Sequence, residues 1–171
     1  MRQFEGVYPI SGEDLSAQPM KAIHAMTTHE PFMRRCLELA MNAREKGNTP
    51  VGSVVVLDGT IIGEGIETLP AGTSITGHAE LLACQAAIDT SGRKHLAGAV
   101  LYTTAEPCFM CGYAIRQLRV SLVIYGMETP LVGAVTSAHP ILTGPALDGW
   151  RPAPVVIGGV LRAECEGLKA R

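Results

Sequence analysis

Two short segments far apart in the chain carry side chains that commonly bind metal ions, and the fold must bring the segments together to form one site. They are His78-Ala79-Glu80 and Cys108-Phe109-Met110-Cys111. Zinc takes four nitrogen or sulfur ligands in a structural site, and three protein ligands plus water in a catalytic site. One imidazole and two thiols make three ligands. The pattern therefore predicts that the two segments converge on one zinc ion per subunit, with a coordination position left open.

Glu80 distinguishes a catalytic site from a structural one, because it is not needed as a ligand. Zinc lowers the pKa of a bound water from ~15.7 to about 7. Glu80 lies two residues past His78, close enough to take a proton from that water and pass it on. The order H-x-E followed by P-C-x-x-C is also the signature of zinc-dependent nucleobase deaminases, in which the glutamate is acid and base.

The cysteine pair has other interpretations. A lone C-x-x-C occurs in redox proteins and in four-cysteine zinc sites. A redox pair has no use for the segment containing His78 and Glu80, and a four-cysteine site needs a second C-x-x-C, which the sequence lacks. A structural zinc in a binding or scaffold domain is the non-enzymatic alternative, and the unligated carboxylate of Glu80 argues against it.

The composition favours a globular protein of the reducing cytoplasm. The chain has 171 residues, of which 47% are hydrophobic and 18% charged. Apolar runs such as Val54-Val55-Val56-Leu57 are far shorter than the ~18–20 residues of a membrane-spanning helix, and no secretory signal is visible. Five cysteines without disulfide-framework spacing fit a reducing compartment. Cys36, Cys84 and Cys165 are expected in the core.

The net charge of −2 argues against strong binding to a polyanion, because phosphate contacts supply much of the affinity of nucleic-acid-binding proteins. No basic stripe is visible. Arg116 and Arg119 are expected on a solvated helix face. Nucleic acid is thus a less favoured partner than a small molecule, and no membrane partner is expected.

The order of helical and extended patterns predicts a three-layer α/β/α fold around a five-stranded mixed sheet. Residues 1–28 show no period and are predicted to be an irregular extension, with one domain over 29–171. Asp58-Gly59 between two β-rich runs predicts a hairpin with a type I′ turn. The predicted elements are helix 31–46, strands 51–57 and 60–65, helix 79–90, strand 99–104, helix 107–118, strand 121–125, a long loop over 126–153, strand 155–157 and helix 161–168.

With these motifs in place, the sequence resembles the cytidine deaminase-like superfamily, and within it bacterial tRNA adenosine deaminases and guanine and cytosine deaminases. The likeness covers roughly residues 30–171. Its specific parts are residues 50–56, Ile62-Gly63-Glu64-Gly65, His78-Ala79-Glu80, the run from Leu101 to Cys111, Val123-Ile124-Tyr125-Gly126 and residues 159–165.

The resemblance implies a dimer or higher oligomer and a hydrolase of C–N bonds that releases ammonia from an amino-substituted heterocycle. A zinc-bound hydroxide would attack the amino-bearing carbon, with Glu80 as the proton shuttle. In such a site the backbone N–H of Ala79 would hydrogen-bond substrate. Val51, Glu67 and Thr68 are further candidates for substrate binding, and Phe109 and Trp150 are candidates for stacking on a flat substrate. For Trp150, sealing of a dimer interface is an equal alternative.

Three departures from the family pattern fall where substrate would lie. Glu67 stands at the position where the family usually has Asn, residues 74–77 replace an Asp-Pro-Thr-Ala segment, and residues 127–132 contain no Lys or Arg. An ionised glutamate only accepts hydrogen bonds, so Glu67 would favour a ligand face rich in N–H donors. The sequence therefore predicts deamination of a small heterocycle, a guanine-, cytosine- or isocytosine-like base or nucleoside, with wobble-adenosine deamination of tRNA as the alternative. A solvent-exposed Glu67 without a role in substrate binding is the competing interpretation.

Overall fold

The computed structural model describes residues 18–68, 75–144 and 149–169, with side chains described from residue 29 onward. Helices and strands follow one another as the sequence predicts, and their ends differ by one or two residues in most cases. The elements are α1 (Gln18–Glu45), β1 (Gly52–Leu57), β2 (Thr60–Ile66), α2 (Ala79–Ser91), β3 (Val100–Ala105), α3 (Phe109–Gln117), β4 (Leu122–Met127), β5 (Val155–Gly158) and α4 (Arg162–Gly167).

The five strands form one mixed sheet in the order β2-β1-β3-β4-β5. β1 pairs antiparallel with both β2 and β3, whereas β3, β4 and β5 are mutually parallel. Parallel neighbours need crossover connections, and α3 supplies the one between β3 and β4. The carboxyl ends of β3 and β4 therefore lie at the same edge of the sheet.

Two apolar clusters, one on each face of the sheet, confirm the three-layer architecture. The cluster under α2 and α3 is built around Val55, Leu101 and Val123. The cluster under α1 and α4 is built around Val54, Tyr102 and Ile124. Alternate residues along each strand point to opposite faces, so the near-continuous apolar runs of β1 and β4 fill both clusters.

The hairpin between β1 and β2 has the predicted turn. Asp58 and Gly59 have φ angles of 49° and 76°, and a type I′ turn needs positive φ at both central positions. The two strands pair antiparallel on either side of the turn, and their register shifts at a bulge between Val55 and Val56. The carboxyl end of β2 thus leads directly to Glu67.

The start of the first helix differs from the prediction. Residues 18–28 are helical, in a segment that the sequence predicts to be irregular, and α1 continues through Pro31 to Glu45. A proline lacks one N–H donor and strains the preceding turn, but it does not prevent residues before it from forming a helix. Pro19 lies in the first turn, where proline is tolerated. The predicted irregular segment 1–17 and the loop through Pro70-Ala71-Gly72 lie outside the described residues.

The sheet and α2 approach each other so closely that two positions of β2 have no room for a side chain. A Cβ atom on Gly65 would lie 2.1 Å from the carbonyl oxygen of Ala79, and one on Gly63 would lie 2.3 Å from that of Ala83. The first two turns of α2 therefore rest directly on the backbone of β2. This contact sets the position of the helix end that carries His78 and Glu80.

Among the described helices, none is both long and apolar enough to cross a bilayer.

Candidate active site

The predicted metal ligands come together at the N-termini of two helices. His78 is the N-cap residue of α2 and Cys108 is the N-cap residue of α3. The Nδ1 atom of His78 lies 3.7 Å from Sγ of Cys108. The donor atoms of His78, Cys108 and Cys111 all lie within 4.8 Å of one another. Residues 30 positions apart are thus brought to one point, as the sequence predicts.

The distances fit a tetrahedral zinc ion. With Zn–N near 2.0–2.1 Å and Zn–S near 2.3 Å, the nitrogen and a sulfur would be about 3.5 Å apart. The observed separation between His78 and Cys108 is 3.7 Å. An imidazole with two thiolates is a donor set that zinc prefers. The residues present therefore fit one zinc ion with three protein ligands.

Electrostatics favours a thiolate at Cys108. Cys111 hydrogen-bonds to the Cys108 sulfur, and with the backbone N–H groups of Cys111 and Met110 it lowers the pKa of Cys108 to about 5, against the opposing effect of burial. The pKa of Cys111 is raised, because its proton is shared with Cys108 and because its sulfur is buried. N-terminal helix ends add to the effect, since their partial positive charge stabilises anions.

Glu80 lies beside the candidate ligands and is 4% exposed. The Cys111 sulfur lies 3.6 Å from its Oε2 atom. Burial raises the pKa of Glu80 to about 8, and the negative charges of Cys108 and Glu67 add to that rise. A buried carboxyl group that holds a proton easily is suited to proton transfer. Glu80 also belongs to a second group of metal-binding atoms, with Glu67 and His78.

Glu67 is part of the site and not of the solvated surface. It is 5% exposed, and its Oε2 atom accepts a hydrogen bond of 3.1 Å from the backbone N–H of Ala79. Burial raises the pKa of its carboxyl group. The N–H of Ala79, which the family resemblance assigns to substrate, is here bound by Glu67. The solvent-exposed alternative for Glu67 is therefore wrong, while its contact with substrate stays a prediction.

Val51 and Thr68 hold the segment that carries Glu67. The backbone N–H of Glu67 donates to the carbonyl of Val51 at 2.9 Å, and that of Thr68 donates to the carbonyl of Gly77 at 2.9 Å. The Thr68 hydroxyl donates to the same carbonyl. Both residues thus lie next to the site, and the contacts they make there are with the backbone on either side of Glu67 and His78.

The two predicted stacking residues lie on the side of α3. Phe109 meets His139 edge to face, with ring centres 6.3 Å apart. Trp150 meets Tyr113 edge to face at 5.4 Å. Both rings are half-buried. Phe109 therefore directly follows the candidate ligand Cys108, and Trp150 packs against Tyr113 of α3. The roles of both rings with substrate stay predictions.

A cavity of about 490 Å³ opens near Val51, lined by Arg44, Thr49, Pro50, Val51, Met127, Leu168 and Lys169. Of the residues predicted to bind substrate, its lining includes Val51 and none of the others. The lining of this cavity includes none of the candidate metal ligands.

Two buried charged residues were not predicted as part of the site region. Arg116, expected on a solvated helix face, is 1% exposed. That expectation is wrong because its guanidinium group donates to the carbonyls of Arg151, Ile141 and Gly144. Glu106, which the sequence shows only as part of the cysteine motif, is 3% exposed. Residue types give no signal for either burial, because the partners of both side chains are mainly backbone groups.

A three-layer α/β/α fold with a zinc-type donor set at two helix N-termini and a buried carboxyl group beside it defines a hydrolytic metalloenzyme. The comparison with protein families identifies the class. Residues 26–127 match the model of the cytidine and deoxycytidylate deaminase zinc-binding region. The chain belongs to this family, whose members are hydrolases of C–N bonds with a zinc cofactor.

Curated relatives similar to the chain include tRNA-specific adenosine deaminases. The protein of that name from Agrobacterium fabrum is 36% identical over 140 residues, which is 82% of this chain and 89% of the relative. The one from Aquifex aeolicus is 38% identical over 119 residues, covering 70% of this chain and 79% of the relative. The likeness thus spans most of both proteins.

Solved structures show the same fold with two kinds of named substrate. A tRNA:A34 deaminase from a study of A-to-I editing at the wobble position superposes with a TM-score of 0.73 and 36% identity, covering 80% of this chain and 97% of that one. Guanine deaminase from Bacillus subtilis superposes with a TM-score of 0.56 and 33% identity, covering 74% and 82%.

Proposed function

We propose that this protein is a zinc-dependent adenosine deaminase that acts on a base presented by RNA, with His78, Cys108 and Cys111 as the metal ligands. When bound, zinc supplies positive charge that makes water acidic enough to react at neutral pH. Glu80 would pass one proton from water to the ring nitrogen, and then a second proton, from the hydroxyl group added to the ring carbon, to the departing amine, which leaves as ammonia. The observation that carries the chemistry is the buried Glu80 carboxyl group next to the three ligand atoms.

Sequence similarity to named relatives supports an RNA substrate more than the charged residues of this chain do. Proteins named as tRNA-specific adenosine deaminases match this chain over most of their length at 34–38% identity. The exchange of family Asn for Glu67 and the lack of Lys or Arg in 127–132 oppose it. The experiment that decides is incubation of the zinc-loaded protein with a transcribed anticodon stem-loop that carries adenosine at the wobble position. Conversion to inosine supports the proposal, and an unchanged adenosine under conditions where a relative is active removes it.

A small 2-amino-oxo heterocycle is the second candidate, and Glu67 is the observation that favours it. Its Oε2 atom is held by the Ala79 N–H, which leaves Oε1 as an acceptor for a substrate N–H group. Guanine, isocytosine and aminotriazines present such donors. Likeness to a guanine deaminase structure is compatible with this substrate. Ammonia release across a panel of purines, pyrimidines, pterins and triazines tests it.

Glu67→Asn separates the two candidates. With an amide that both donates and accepts, the variant should lose activity on the donor-rich heterocycle and gain on adenosine. Glu64→Asn, on the exposed side of the same hairpin and paired with Arg35, is the matched control. Equal kcat/KM ratios in the variant and the wild type would remove Glu67 from the choice of substrate.

The dimer and the cytoplasmic location expected from the sequence remain predictions, testable by light scattering and fractionation.

A further inference from the structure

The loop that follows β4 encloses the carboxylate of Glu106. Backbone N–H groups of Val135 and Thr136 donate to Oε1 at 2.8 and 2.7 Å. The backbone N–H of Thr129 donates to Oε2 at 2.8 Å, and the Thr136 hydroxyl donates to the same atom at 2.6 Å. Successive backbone N–H groups that surround an anion form a nest. Here the anion is a side chain of the chain itself.

The loop is shaped to leave room for this carboxylate. A Cβ atom on Gly133 would lie 2.1 Å from Oε1 and 2.5 Å from Oε2 of Glu106, far inside van der Waals contact. Only glycine therefore fits at the point of closest approach. The contact depends on both the Glu106 carboxylate and Gly133. A substitution at either residue should therefore weaken it.

The same loop is tied to the turn that carries the candidate metal ligand Cys108. Gly133 forms an isolated antiparallel bridge with Cys108. The N–H of Ala134 donates to the carbonyl of Pro107 at 2.8 Å. The hydroxyl of Thr129 donates to the carbonyl of Glu106 at 3.3 Å. Glu106 thus lies at the centre of the contacts between residues 129–136 and the turn that carries Cys108. We call this set of contacts the junction.

The tip of the loop is apolar and exposed. Leu131 is 92% exposed and Val132 is 52% exposed, and both lie within two residues of Gly133. Because Gly133 pairs with Cys108, the tip is joined through the loop backbone to the turn that carries a candidate metal ligand. Exposed apolar side chains next to a site are candidates for contacts with an apolar or aromatic ligand face.

We propose that Glu106 is a positioning residue, whose carboxylate fixes residues 129–136 so that Leu131 and Val132 form an apolar rim of the candidate active site. The buried carboxylate acts through the backbone of the loop and touches neither substrate nor metal. The inference concerns the placement of the rim and does not depend on which heterocycle is deaminated.

Glu106→Gln in the full, zinc-loaded protein is the main test. The side-chain shape is kept, but one acceptor oxygen becomes an NH₂ group that faces N–H donors. Gly133→Ala disturbs the same contact from the loop side. Glu128→Gln, which removes a surface charge paired with Arg162, and Gly167→Ala, where a Cβ meets nothing within 4 Å, are matched controls. Leu131→Ser alters the rim and leaves the junction intact.

Three measurements are made on each variant: hydrogen exchange of the 129, 135 and 136 amides, zinc per chain, and kcat and KM on a substrate that the wild type converts. Amides of β1 and far-UV circular dichroism verify the fold. In Glu106→Gln and Gly133→Ala the three amides should exchange at least about tenfold faster while zinc stays bound. KM should rise about tenfold or more, with kcat within about threefold of the wild type. Leu131→Ser should raise KM without faster exchange.

Unchanged amide exchange in Glu106→Gln overturns the proposal, whatever happens to activity. Loss of zinc from that variant would assign Glu106 to support of the metal ligands instead, and a fall in kcat at constant KM would assign it to the chemical step. If neither proposed substrate is converted by the wild type, exchange and zinc content still decide the positioning role. Failure of the proposed function and failure of this inference are therefore distinguishable.

Discussion

The guanidinium carbon of Arg116 lies 5.1 Å from the centre of the Trp150 ring. A cation over an aromatic face is attracted by the ring quadrupole. The same guanidinium group donates to the carbonyls of Arg151 and Ile141, at 2.9 and 2.8 Å. Arg116 therefore holds the second half of the long segment between β4 and β5, where Glu106 holds the first half. The carboxylate of Glu106 accepts hydrogen bonds from backbone N–H groups, and the guanidinium group of Arg116 donates hydrogen bonds to backbone carbonyls.

Arg116→Met should lower the free energy of unfolding by about 3 kcal/mol, because buried carbonyls lose charged donors and the ring loses its cation. Urea denaturation followed by circular dichroism measures the change. Methionine keeps much of the volume of the arginine stem, so the effect reports mainly on the lost polar contacts.

Arg34→Met is the control for that experiment. Arg34 lies on α1 and its side chain is 58% exposed, with a long contact of 3.6 Å to Glu30. Its replacement should change the free energy of unfolding by no more than about 0.5 kcal/mol. Equal effects of the two substitutions would contradict a structural role for the buried guanidinium group.

Glu80→Gln should abolish turnover and leave zinc bound. General acid–base groups contribute about 10²–10⁴-fold to rates, so kcat should fall by at least about a hundredfold on any substrate that the wild type converts. Zinc per chain, measured by atomic absorption, should equal that of the wild type. Loss of zinc together with activity would mean that Glu80 is a ligand, and retained activity would exclude it as the proton carrier.

Removal of zinc by a chelator should abolish activity and lower the melting temperature by about 10 °C, because a tightly bound ligand stabilises only the folded state. Cys108→Ala should reproduce both effects and bind less metal. Cys84→Ala serves as the control, since Cys84 is 2% exposed in the cluster beneath α2. That variant should lose some stability from its core and keep its full zinc content.

Gly65→Ala should destabilise the protein and disturb the site together. A Cβ atom there would lie 2.1 Å from the Ala79 carbonyl and 2.5 Å from the Ala83 N–H, so α2 must shift. Overpacking of this kind costs about 1–3 kcal/mol. Calorimetry should show the loss of stability, and zinc affinity should fall because His78 moves with the helix. Normal affinity in a folded variant would show that α2 and His78 adjust independently.

The fold and the metal group could be predicted because they depend on strong local signals. Asp58-Gly59 specifies one turn geometry, and ligands at helix N-termini follow from the cap positions of His78 and Cys108. The sequence predicts residues 1–28 to be irregular because they show no apolar period and contain several Gly and Pro residues, whereas residues 18–28 are helical. The residue at which α1 begins cannot be predicted from the sequence of the helix alone.

The buried charges could not be predicted, because their partners are backbone groups distant in the chain. Arg116 donates to carbonyls 25 to 35 residues away, and Glu106 accepts from amides 23 to 30 residues away. Nearly every residue type carries the same backbone N–H and carbonyl groups, so backbone partners cannot be recognised from the residue types. For Glu67, the sequence indicates an unusual acceptor near the site, but its hydrogen bond with the Ala79 N–H depends on how the loop folds back onto α2.

A metal ion that joins Nδ1 of His78 to Sγ of Cys108 spans a crossover that includes a whole interior strand. In a zinc finger, neighbouring ligands allow the ion to nucleate folding. In this chain the two ligands lie 30 residues apart with β3 between them, and β3 occupies the centre of the sheet order. The ligand set is therefore a product of the assembled sheet, and a chain in which β3 is not yet paired offers zinc no complete set of ligands.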